Sequence, residues 1–94
     1  MVYLIAYKIN DSVYDYSSLI EAIKSLGKSY QHPMDAVWFV SVNGTTPRAV
    51  NDILKTHLHS RKDYLYIMEV NSDSKRQGWL PKLFWSWLRE NTDD

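Results

Sequence analysis

The chain contains no cysteine in its 94 residues. It therefore forms no disulfide, offers no thiolate nucleophile and builds no cysteine-based zinc or iron–sulfur site. It has only three glycines, too few to favour a glycine-rich phosphate loop, and neither a nucleophile elbow nor a Ser-His-Asp arrangement is present. Net charge is also lacking, because 11 Lys and Arg balance 11 Asp and Glu. That removes the strongly basic footprint of a non-specific nucleic-acid binder, whose affinity comes mostly from phosphate neutralisation. No apolar run approaches the ~20 residues of a membrane span, and the first residues lack the pattern of a secretory signal. A cytoplasmic location with no membrane partner is expected. Finally, there is no room for a second domain, since ~100–200 residues per domain is the norm. Residues 1–94 are read as one domain.

What the chain has is apolar and aromatic bulk: 45% hydrophobic residues, with four Trp, seven Tyr and two Phe. Val2 to Ile9 is rich in β-branched and aromatic residues and predicts a strand. A helix is expected from Tyr16 to Leu26. Asp15 is its cap, Ser18 with Glu21 forms a second capping box, and Gly27 is a left-handed stop. Its inner stripe is Leu19, Ile20, Ile23 and Leu26. Lys28 to His32 reads as a short strand ended by a turn at Pro33–Asp35, and Ala36 to Val42 as a strand closed by the Asn43–Gly44 turn signal. Thr46 then caps a second helix with Pro47 in its first position, and Val50, Ile53, Leu54 and Leu58 face inward. Tyr64 to Val70 is the fourth strand, Asn71 to Gly78 a charged loop, and Pro81 to about Asn91 an aromatic C-terminal helix.

The order β-α-β-β-α-β-α predicts an α+β protein: a ferredoxin-like βαββαβ sandwich with an added C-terminal helix. Two helices cover one sheet face only, yet the first strand is apolar on both. Val2, Leu4, Ala6 and Lys8 share one side, and Tyr3, Ile5 and Tyr7 the other. A second cover is needed. A homodimer packed through Val2, Leu4, Ala6 and Lys8 is the expected one, and the C-terminal helix folded back within one chain is its competitor.

Residues 3–10 (YLIAYKIN) and 16–27 (YSSLIEAIKSLG) resemble the opening of SinR-like small proteins. Residues 36–40 (AVWFV) and 63–69 (DYLYIME) resemble that family's third and fourth strands. The family is similar in fold to the small CRISPR-associated endoribonuclease and to VapD-type ribonucleases. The resemblance implies a dimer whose first-strand ends meet near a two-fold axis. It also implies an aspartate able to hold a divalent metal at the position of Lys8. Here the sequence departs from the pattern: an ammonium repels Mg²⁺ and offers no lone pair while charged, so no metal or other cofactor is expected.

Asp11 and Asp15 follow the first strand and are the two carboxylates placed to replace the missing ligand, although a turn former and a helix cap are the plainer account of them. His57 and His59 are two apart, not the i, i+4 separation of a helical zinc pair, and His32 precedes a proline as a turn residue does. In the C-terminal helix, Leu80, Leu83, Phe84, Trp87 and Leu88 share one packing face. Trp79 and Trp85 fall off it and are candidate partner-binding residues, because tryptophan is enriched at interface hot spots and can also stack bases. A core built from large side chains is the plainer account of these aromatics. Arg61-Lys62 and Lys75-Arg76 flank the fourth strand, either as solvated loop pairs or as one modest anion patch.

Three functions follow. The first is a non-catalytic binding or scaffold protein, a homodimer acting through protein or nucleotide and nucleic-acid contacts in phage–host or CRISPR-type defence. The second is a metal-dependent endoribonuclease, which rests on the resemblance alone. The third is a phage or mobile-element counter-defence protein that binds a host factor or a signalling nucleotide. Fold does not choose among them.

Overall fold

Strand β1, Val2–Lys8, owes its central place to a run that is apolar on both sides. It pairs antiparallel with β3, Val37–Ser41, on one edge and with β4, Tyr64–Val70, on the other. Strand β2, Ser29–Met34, adds to β3, giving the antiparallel order β2-β3-β1-β4. Helices are α1, Ser17–Lys24; α2, Pro47–Leu54, which tightens into a 3₁₀ turn over Lys55–His57; and α3, Lys82–Thr92. This computed structural model describes residues 1–10 and 14–92. The architecture is thus α+β, a four-stranded antiparallel sheet with three helices. Among the described residues, no helix is long and apolar enough to cross a membrane.

Strand alternation divides the apolar residues into two layers. Tyr3, Ile5, Trp38 and Val40 point to one face and are buried under Leu19 and Ile23 of α1 and Val50 and Leu54 of α2. Val2, Phe39 and Val70 point to the other face and are buried under Phe84 and Leu88 of α3. Each large side chain fully removed from water contributes roughly 1.5–3 kcal/mol. The second layer therefore anchors α3 with few residues.

This arrangement corrects the expected dimer contact at one position. Val2 is fully buried beneath its own chain's α3, so it cannot meet a second copy. The competing cover is real at this end of the face. It stops short of the other end: Leu4 and Ala6 are half-buried and Lys8 is exposed.

Several local expectations also change. Thr46 caps α2 as expected, its hydroxyl accepting from the Ala49 N–H at 3.1 Å behind Pro47, but Ile53 faces solvent and Leu83 is exposed on α3. Strand β2 runs through Pro33 instead of stopping before it. It is an edge strand, its register shifts between Gln31 and Met34, and a missing N–H is tolerated there. Helix α1 ends at Lys24, and Gly27 is not left-handed. Glycine is required there by close approach, because a Cβ would sit 2.0 Å from the Ser41 carbonyl oxygen. The left-handed glycine is Gly44, with φ of 73°, in the Asn43–Gly44 turn.

Candidate functional site

The part of the second face beyond α3 follows from strand register. Leu4, Ala6 and Lys8 of β1 stand opposite Met68, Tyr66 and Tyr64 of β4. On the other side, Ala6 faces Val37, which faces Met34 of β2. All these side chains share one side of the pleat. Tyr64 and Tyr66 are each about 60% exposed, and Met34 and Met68 nearly half. An apolar strip thus lies open where α3 does not reach.

Where the strip meets α3 it deepens into a groove of about 380 Å³. Leu4, Ala6 and Phe39 form its floor, and Phe84 and Trp85 its wall. Lys75 and Arg76 stand on its rim, and among the described residues no acidic side chain lines it. Trp85 is therefore a half-buried wall residue, not a free contact: its ring meets Phe84 edge-on at 5.4 Å. Trp87 is also engaged, donating its indole N–H to the Ser29 hydroxyl at 3.1 Å. Trp79 is different. It is 100% exposed, and its neighbour Leu80 takes the inward place against the groove.

The two basic pairs do not form one patch. Arg61-Lys62 precedes β4 and Lys75-Arg76 follows it, and seven strand residues span ~20 Å. Arg76 instead donates to the Asn71 carbonyl at 3.0 Å and shares a surface hollow with Arg89 of α3.

The carboxylates are occupied elsewhere. Asp15 is exposed and accepts from the Ser17 N–H at 2.8 Å, a bond that holds its carboxyl below the usual range; the N-cap position of α1 is Tyr16, not the expected Asp15. Ser18 lies inside the helix and meets His57 Nδ1 at 3.1 Å, so the Ser18–Glu21 capping box does not form. Asp11 lies outside the described residues. Lys8 is exposed at the end of β1. Among the described residues, no group of three or more His, Cys, Asp or Glu is placed to hold a metal ion. His57 and His59 face different partners. The His59 ring stacks on Tyr14 at 5.0 Å and meets Tyr16 edge-on, while His32 lies flat on Trp38 at 3.8 Å.

Asp63 is the residue that sequence reasoning missed. It is buried, and its carboxylate accepts from the Tyr16 hydroxyl at 2.6 Å and from the backbone N–H groups of Asn10, His59 and Ser60 at 3.0–3.1 Å. Burial pushes its carboxyl up, but the four hydrogen bonds outweigh this and lower it to about 2, against an ordinary 3.8. It ties the end of β1, the start of α1 and the segment after α2 to the start of β4. Its oxygens are saturated, so its role is structural. The available signal was the Ser60-x-x-Asp63 spacing just ahead of a strand, which resembles many ordinary turns.

No protein-family model and no curated protein sequence matches the chain. A solved structure described as a hypothetical protein, TT1823 from Thermus thermophilus, is similar to it, with 24% identity and a TM-score of 0.53. The match covers 85% of this chain and 93% of that one. It shows a shared fold.

Proposed function

We propose that the chain is a non-catalytic binding protein that pairs with a second copy of itself through the open half of the second sheet face. The observation that carries this is the strip of Leu4, Ala6, Tyr66, Met68 and Met34, apolar and only partly covered within one chain. Contiguous apolar patches of that kind mark contact sites on small proteins. A two-fold contact covers the strip with the same strip, the commonest symmetry in oligomers. Lys8 then lies at the border of the contact, where its charge stays in water. The same proposal takes the fold to be ferredoxin-like. The order β4-β1-β3-β2, with α1 and α2 on one face, supports this, and the opening strand and helix support kinship with SinR-like proteins.

Nuclease chemistry is the weaker reading because of where the carboxylates are engaged. Asp15 is tied to a helix start, Asp63 is saturated by donors, and Lys8 stands where a ligand is needed. Light scattering tests the assembly. The expected mass is twice the 11.1 kDa of one chain, and a single-chain mass at tens of micromolar overturns it. Incubation of the purified protein with RNA and Mg²⁺ or Mn²⁺ tests the chemistry. Intact RNA is expected, and metal-dependent cleavage that disappears on Asp15→Ala contradicts the non-catalytic reading.

A further inference from the structure

We infer that Trp79 is the anchor of that pairing, its indole entering the groove beside α3 of the second copy while the partner's indole enters the first. This rests on the self-pairing proposed above and adds the residue that specifies it. Trp79 is fully exposed in its own chain, whereas Leu83, Tyr64 and Tyr66, the next most exposed large apolar residues, retain some cover. The reason is local. Residues 75–81 are neither helix nor strand, and Leu80 packs inward against the second layer. Trp79 stands outward and takes no part in the lining of its own groove.

The groove suits it in size and lining. A cavity of ~150 Å³ accommodates benzene, so about 380 Å³ has room for an indole on a floor of Leu4, Ala6 and Phe39. Trp79 adjoins Leu80, which lines the groove, so knob and groove border one another in one chain, and in a two-fold contact each copy gives one and receives one. The area is sufficient in scale. Aromatic side chains cover 150–250 Å² each when buried. Trp79, Tyr64 and Tyr66 at their observed exposures thus supply on the order of 450 Å², over half of the ~800 Å² per partner of a standard interface.

The test is light scattering across a concentration series for the wild type, Trp79→Ala and Ala6→Trp, with tryptophan emission followed alongside. Trp79→Ala removes a side chain that is fully exposed in its own chain, so folding is retained. Ala6→Trp fills the groove from its floor. The expected result is a wild-type pair whose emission shifts to the blue as concentration rises, and at least tenfold weaker pairing in both variants. A monomeric wild type overturns the self-pairing and the anchor together. A wild-type pair that Trp79→Ala leaves equally tight, with an unchanged blue shift, overturns the anchor alone and leaves the self-pairing standing.

Discussion

The two faces of the sheet are built from equally apolar strands but are finished differently. The first is closed over its centre by α1 and α2, whose buried residues Leu19, Ile23, Val50 and Leu54 pack on the strand residues beneath them. The second is closed at one end only, by two fully packed residues of a single helix, Phe84 and Leu88. A strand that is apolar on both sides therefore does not imply two finished cores. Here it serves one larger core, a smaller one under α3 and, we propose, one contact surface. The distinction is set by which apolar residues find partners in their own chain: Val2 does, Leu4 and Ala6 do so in part, and Tyr64 and Tyr66 barely do.

The largest effect expected from breaking this comparison is at α3. Phe84→Ala removes the ring that meets both Phe39 and Trp85 and should cost about 3–5 kcal/mol in chemical denaturation. A cost under about 1 kcal/mol would mean that α3 is only loosely seated and that the second face has no core at all. On the first face, Leu54→Ala should cost about 2–5 kcal/mol, as expected for a fully buried leucine. If Leu54→Ala is nearly neutral while Phe84→Ala is severe, the ranking of the two faces is reversed.

Acid sharpens the account of the corner that holds the first face's helices to the sheet. The Asp63 carboxyl is lowered in the folded chain, so its stabilisation is present above the ordinary value near 3.8 and is lost as pH falls toward about 2. Melting temperature should drop across that window. Asp63→Asn should lower the melting temperature at neutral pH and flatten the acid drop, because an amide N–H₂ would face donors where an acceptor is needed. An unchanged acid profile in the variant would remove Asp63 from the account. A smaller effect is expected at the α2 cap, where Thr46→Ala should cost ~1 kcal/mol. The smallest belongs to the open face. Tyr66→Ser should change the stability of a single chain by no more than about 0.5 kcal/mol, measured at concentrations below pairing.

Much of the fold was legible because strand and helix periods are written directly in the side chains. Tyr64–Val70 coincides with β4, and the Thr46-Pro47 start of α2 is where its chemistry places it. The departures lie where tertiary context overrides local pattern. Pro33 reads as a stop, yet an edge strand tolerates it, and Gly27 reads as a left-handed cap, yet serves a close approach to Ser41. Leu83 reads as buried by spacing, yet α3 packs through Phe84 and Leu88 and leaves it outside. The open strip was half legible. The two-sided character of β1 pointed to a second cover, and the outward alternation of Tyr64, Tyr66 and Met68 was readable in the same way. What spacing could not tell was how far along the face α3 would reach. Nor could it show that one carboxylate, Asp63, gathers four donors from three separate places in the chain.

Methionine oxidation read residue by residue tests the central claim most directly. The chain's three methionines report from different places. Met34 and Met68 lie half-exposed on the open strip, while Met1 packs beside the first-face core with its amino group on the Asn43 side chain at 2.9 Å. Mass spectrometry after a brief peroxide pulse, repeated over a range of protein concentrations, follows all three at once. If the open half of the second face is where two copies meet, oxidation of Met34 and Met68 slows as concentration rises while Met1 keeps a constant rate. Equal rates for Met34 and Met68 from the lowest concentration to the highest would contradict it.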